Sequence, residues 1–270
     1  MQRYRKIIIL VIAILVTATT LLVIKGQQQE VASSNKEETL DEKVAQLPVT
    51  DFIVEEPKDP EQRSLRQARN SRRNSSVITE GIRPPVLNES MEPILLDLPL
   101  SDQPEAPAIP VSESDVIVIG KAVEAKAYIS SDRTNVYSEV AVTIEEVLKG
   151  DPRLPLIPEA TLYAERSGGA VRFPSGKILR RGSLGKNIPR PGDRYLLFLS
   201  YNDEGKDFSI ITGYELSGNH VFPLDGTGRK GAKFSQFSSY EKHRGKEELI
   251  FLNEVRTAIS QERGSRKGGK

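Results

Sequence analysis

The chain of 270 residues contains no cysteine and only two histidines. Without cysteine there are no disulfide staples, no thiolate metal sites, no thiol nucleophile and no cysteine-borne lipid anchor. Two histidines, His220 and His243, leave little for a histidine-based relay or metal centre. No metal ligand set and no cofactor is therefore expected. An excess of either charge is missing too: 38 Lys+Arg stand against 37 Asp+Glu, a formal charge of +1. That balance excludes a nucleic-acid binder read from net charge, and it excludes an acidic, solvating chain. Catalytic motifs are also lacking. There is no G-x-S-x-G elbow and no H-E-x-x-H pair, and the glycine-rich run at 226–233 carries Ala232 where a phosphate loop needs its lysine. Glu145 and Glu146 are adjacent and point to opposite faces of a strand, so they cannot share a substrate. No general acid–base pair emerges.

The N-terminus carries the clearest positive signal. Residues 1–6 form a basic end with Arg3, Arg5 and Lys6, and residues 7–24 are an uninterrupted apolar run whose only polar groups are threonines. As a helix the run spans roughly 27 Å, close to the hydrocarbon thickness of a bilayer. It is longer than a signal-peptide core and no good small-x-small site follows it, which favours a retained anchor; secretion after signal cleavage is the alternative. The basic residues precede the run, while residues 26–62 hold acids in excess of lysines. The positive-inside rule then keeps the N-terminus in the cytoplasm and places the rest of the chain on the extracytoplasmic side.

Residues 25–112 hold ten of the 17 prolines and a single aromatic, Phe52. So little apolar material cannot offset the entropy of ordering, and the stretch is expected to be a disordered, proline-rich tether. Two patches stand out within it. Residues 93–100 are apolar enough to dock, on a partner or as a strap on the chain's own domain. Arg63, Arg66, Arg69 and Arg73 would share one face of a helix, with Arg72 beside them. Such a stripe suits phosphates or an anionic membrane surface, or is simply a solvated charge block. It lacks the aromatics that single-stranded nucleic acid would need, and nucleic acid is not an expected partner.

From residue 113 to 226 the texture becomes β-branched and alternating. Strands are expected at 115–123, broken at Gly120, at 136–148, where Val140, Val142 and Ile144 share a face opposite Glu139, Thr143 and Glu145, and at 161–165. A hairpin follows at 171–179, then a buried strand at 193–199 after Pro191-Gly192, then 208–216 turning through Ser217-Gly218-Asn219 into 220–222. About seven short strands without helical periods indicate an all-β domain, an antiparallel barrel or a sandwich. Residues 227–246 read as a loop. Residues 247–263 place Leu249, Leu252, Val255 and Ile259 at helical spacing, an amphipathic helix that caps the barrel, and 264–270 form a basic tail.

One region of this domain offers binding chemistry. Arg166, Gly168, Gly169, Arg172, Lys177, Arg180 and Arg181 make a glycine-rich, basic loop and hairpin. The glycines would let a ligand approach the backbone, and the cations would contact an anionic polymer or a carboxylate-bearing envelope protein. A solvated hairpin explains the same residues.

Two resemblances follow from these segments. Residues 115–121, 147–150 and 191–199 taken in order resemble the netrin-like module of tissue metalloproteinase inhibitors, which implies an OB-type barrel. The inhibitors' N-terminal, metal-chelating cysteine has no counterpart here, so their mechanism is not implied. Residues 115–259 also resemble a family of membrane-anchored or secreted proteins of soil bacteria that carries no assigned activity; that resemblance implies a bacterial envelope location, with the domain in the periplasm. The expectation is a membrane-anchored binding or scaffolding module. The alternatives are a hydrolase acting on envelope material through a carboxylate or serine, and a passive assembly subunit.

Overall fold

The computed structural model describes residues 47–54, 56–74, 85–92, 94–96, 107–183, 186–225 and 239–268. The apolar run at 7–24 lies outside them; among the described residues no helix is long and apolar enough to cross a membrane. The elements in chain order are β1 (Val49–Asp51), α1 (Pro60–Arg72), β2 (Ile94–Leu96), β3 (Val116–Ile129), β4 (Val136–Lys149), β5 (Thr161–Ser167), β6 (Gly169–Arg172), β7 (Ile178–Ser183), β8 (Arg194–Asn202), β9 (Asp207–Ser217), β10 (His220–Pro223), a 3-10 turn (Glu241–His243), β11 (Lys246–Glu247) and α2 (Glu248–Gly268).

Five strands close into a barrel. β3 pairs antiparallel with β4, β4 antiparallel with β5, β5 parallel with β9, β9 antiparallel with β8, and β8 antiparallel with β3. The domain is thus a barrel rather than a sandwich, and one of its contacts is parallel. That contact arises because the chain leaves the barrel after β5, forms the β6–β7 hairpin, and re-enters at β8 before β9 returns to lie beside β5. β3 pairs along both edges and bends at Gly120, where its register with β4 shifts. A Cβ there would lie 2.6 Å from the Thr143 carbonyl oxygen, so the bend admits only glycine.

Alternation explains the inner core: Val116, Val118, Val140, Val142, Ile144, Leu162, Ala164 and Leu197 point into the barrel. Residues 116–119 of β3 and 195–199 of β8 are buried on both faces, which is why these stretches read as unbroken apolar runs. Their outer side chains Ile117, Ile119, Leu196 and Phe198 pack against Phe251, Leu252, Val255 and Ile259 of α2. A capping helix is present, but it runs from Glu248 to Gly268 and so takes in most of the stretch expected as a tail from 264, and Leu249 and Phe251 exchange roles. Phe251 is fully buried, while Leu249 is 65% exposed, because the helix turns its 251/252, 255 and 259 face inward.

The expectation of a disordered tether across 25–112 does not hold for its described residues. β1 pairs parallel with β6 and β2 pairs parallel with β7, completing a second sheet in the order β1-β6-β7-β2. Leu87 is buried with Val136, Val171, Phe173 and Leu179, and Phe52 and Met91 pack on the same cluster. Composition misled here because it weighs only side-chain burial. These segments dock largely through backbone pairing to sheet edges and through arginines, neither of which needs a hydrophobic sequence. Residues 94–96 act as a strap on the chain's own domain.

Candidate binding site

The most unusual feature of the barrel is a row of buried acids on its outer surface. Glu139 of β4 and Glu165 of β5 are direct cross-strand partners, Ser209 of β9 pairs with Glu165, and Asp207 begins β9. All three carboxylates are buried. Like charges placed opposite one another destabilise a sheet unless cations answer them, and here α1 supplies the cations. Its start is well specified: Pro60 occupies the first turn, and the Asp59 side chain accepts from the Glu61 N–H at 3.1 Å. Its end is tied to the loop between β3 and β4. Ser131 N–H donates to the Asn70 carbonyl at 3.2 Å, Asp132 N–H to Asn74 Oδ1 at 2.9 Å, and Asn135 Nδ2 to the Arg73 carbonyl at 3.0 Å.

Between these ends four arginines reach the barrel. Arg66 grips Glu139 with both terminal nitrogens, one of them 3.0 Å from Oε2, and donates to the Tyr137 hydroxyl at 3.2 Å. Its guanidinium lies 3.5 Å from the centre of the Tyr128 ring, which is stacked on Tyr137 at 5.6 Å. Arg69 donates to Glu139 at 3.2 Å and to the Gly205 carbonyl at 2.9 Å. Arg72 bridges Glu165 at 3.0 Å and both oxygens of Asp207 at 2.8 and 2.9 Å. Arg73 donates to Glu165 at 2.6 Å. Tyr137 in turn donates to Asn70 at 2.6 Å. Of the stripe expected from sequence, Arg66, Arg69 and Arg73 converge on the acids and Arg72 joins them. Arg63 bonds within its own segment, to the Pro57 carbonyl at 3.1 Å.

The electrostatics of the cluster are uneven. Burial acts to raise the Glu165 carboxyl, but hydrogen bonds and charge from Arg72 and Arg73 outweigh it and hold Glu165 below its ordinary value. Asp207 goes the other way: burial, reinforced by the charge of Glu165, pushes it up to about 6 despite Arg72 and Arg69. Burial acts to lower the Arg66 guanidinium, and the hydrogen bond and charge of Glu139 more than reverse this. Tyr128 and Tyr137 are both raised, chiefly by burial, and stay neutral.

The basic loop and hairpin singled out from sequence are divided by the fold. Arg166 is buried and paired with Asp225. Gly168 and Gly169 have φ of 117° and 150°, and a Cβ on Gly169 would lie 2.9 Å from Val136, so these glycines let β5 turn tightly into β6 against β4. Arg172 is exposed, 3.7 Å from Asp51 of β1. Lys177, also exposed, donates to the Glu89 carbonyl at 2.5 Å. Arg180 is half-buried on β7 and stands opposite Ala170 of β6. Arg181 is only 8% exposed, its guanidinium is lowered by burial, and its Nη2 donates to Met91 Sδ at 3.4 Å. Arg172, Lys177 and Arg180 remain at the surface, apart from the buried Arg166 and Arg181.

His220 sits at the β9–β10 turn with Nδ1 2.7 Å from the Gly218 carbonyl. Among the described residues no group of three or more His, Asp or Glu is arranged to hold a metal ion. A scan against protein-family models finds no match, and no curated protein matches the sequence.

Proposed function

We propose that the chain is a membrane-anchored, extracytoplasmic binding or scaffolding module built on an OB-type barrel. In chain order the barrel strands β3, β4, β5, β8 and β9 are first to fifth, and they close in the order 1-2-3-5-4 with a parallel contact between third and fifth. OB barrels follow that plan and carry their ligands on the face of strands two and three. The segments that resemble netrin-like modules fall on β3, the end of β4 and β8. The observation that carries the binding reading is the occupancy of this very face. Carboxylates and tyrosines on β3, β4, β5 and β9 are held by a helix from outside the barrel.

The closely spaced carboxylates are committed to arginines, which favours binding over hydrolysis. The membrane part rests on the 7–24 run and the charges that flank it. Protease treatment of intact cells, combined with the intact mass of the extracted protein, tests the reading. Full mass with a protease-accessible C-terminal domain is expected. A C-terminal domain protected in intact cells would overturn it, and loss of the N-terminal segment would make the protein a secreted one.

A further inference from the structure

We propose that the acidic, tyrosine-lined face of the barrel is a receptor for arginine-bearing helices, and that α1 is its internal occupant, in whose place a basic helical segment of a partner protein docks. The inference rests on the reading of the barrel as a binding module and adds the chemistry of its partner.

The receptor is built by the barrel alone. Tyr128 and Tyr137 are in-register partners on β3 and β4, as Glu139 and Glu165 are on β4 and β5. Their positions are fixed by ladder hydrogen bonds that owe nothing to α1. A stacked aromatic pair beside carboxylates is a fitting site for guanidinium, which is planar, binds carboxylates in bidentate fashion and lies flat on rings. The spacing matches as well. Neighbouring strands lie about 4.8 Å apart, and residues three apart on a helix are separated by about 4.5 Å along its axis. Two such steps, from Arg66 to Arg72, carry the helix from Glu139 of β4, which Arg69 also contacts, to Glu165 of β5 and Asp207 of β9, which Arg72 bridges.

The grip of the occupant is of a kind that can be exchanged. No residue of α1 is buried. Its hold consists of arginine heads on carboxylates, carbonyls and ring faces, of Asn70 on the Tyr137 hydroxyl, and of hydrogen bonds from its end to the β3–β4 loop, all of them polar. When it leaves, the carboxylates return to water rather than to an empty apolar cavity, so release is a trade of solvated partners and is weakened by salt. An internal helix has an effective concentration near millimolar, so a partner displaces it only if it binds more tightly or is itself held close, as a neighbour in the same membrane would be.

The probe is a fluorescein-labelled peptide of residues 57–74, titrated into the full chain in detergent. The variant R66Q/R69Q/R72Q vacates the face. It should bind the peptide at least roughly tenfold more tightly than the wild type, and a peptide with lysines for those arginines should bind the variant at least roughly tenfold more weakly. A folded variant that binds no better than wild type, or binds the lysine peptide equally well, overturns the proposal. If the variant does not fold, site-specific protease cuts on both sides of α1 in the wild-type chain decide the matter. About a hundredfold excess of unlabelled peptide should displace the excised helix from a barrel that stays folded; retention of the helix, or collapse of the barrel on its release, overturns the proposal. Binding in detergent is indifferent to which side of a membrane the barrel occupies. Failure here therefore leaves the anchored module standing, and failure of the accessibility assay does not bear on the exchange.

Discussion

Glu165 and Asp207 lie in one cluster and share Arg72, yet neutralising Glu165 should cost stability while neutralising Asp207 should cost none. Glu165→Gln keeps the shape and removes the charge. Arg73 then loses its carboxylate, Arg72 keeps only Asp207, and Ser209 keeps an acceptor. Removing one partner of a buried pair costs about 3–5 kcal/mol. Arg72 and Arg73 are 23% and 26% exposed and can recover some hydration, which puts the expected loss nearer 2–3 kcal/mol. Asp207 is different because its charge is already disfavoured. Its carboxyl is pushed from 3.8 to about 6, roughly two units. At about 1.4 kcal/mol per unit, the ionised form carries a penalty of about 3 kcal/mol at neutral pH. The sign follows from linkage. A folded-state value above the unfolded one gives a contribution that is complete below about pH 4 and is lost as pH rises through about 6. Asp207→Asn removes that penalty but offers Arg72 a poorer acceptor. The variant should therefore range from unchanged to about 2 kcal/mol more stable at pH 7.5, an advantage that shrinks by about 1.4 kcal/mol at pH 5 and is gone toward pH 4. Urea unfolding of both variants at pH 7.5 and 5 reads these numbers from the midpoint and slope. Equal losses from the two substitutions at pH 7.5, or a larger loss from Asp207→Asn, would refute this account of the cluster.

Three further outcomes are expected. Gly120→Ala places a methyl 2.6 Å from the Thr143 carbonyl oxygen and 2.7 Å from Val142 Cγ1, and should cost at least about 2 kcal/mol, seen as a lower thermal midpoint. Phe251→Ala should cost about 3–5 kcal/mol and loosen α2, whereas Leu249→Ala two residues away should stay within about 0.5 kcal/mol; chemical denaturation of the pair checks the orientation of the helix. Arg166→Met strands Asp225 and should cost about 3–5 kcal/mol, while Arg166→Met combined with Asp225→Leu should recover most of that loss, a coupling that a double-mutant cycle measures directly.

Most of the barrel was legible because its signals are local. Buried β3 and β8 betray themselves as apolar runs. The bend at Gly120 and the left-handed Gly192, Gly218 and Asn219 sit where the sequence places breaks and turns. The alternation of β4 was also readable, with Glu139 opposite Val140 and Val142. What could not be read is that the polar face of β4 is itself covered. That cover is made by arginines, which leave no hydrophobic trace, and it joins residues some 70 to 135 positions apart in the chain. Asp207 carried no pattern at all. Arg166 did carry one: it follows Leu162 and Ala164 in the inward register of β5, and the same period of two that aims Glu165 outward sends Arg166 toward Asp225. A basic residue beside two glycines reads as a ligand contact only while that register is ignored.

The central claim is that residues 60–73 belong to the folded domain and cover the barrel face through arginine–carboxylate contacts. Hydrogen exchange of the full chain, followed peptide by peptide, tests it most directly. The account predicts protected amides across 61–73 in the wild type, and selective loss of that protection in R66Q/R69Q/R72Q while β3, β4 and β9 remain protected. Exchange of 61–73 at the rate of an unstructured chain in the wild type would contradict it.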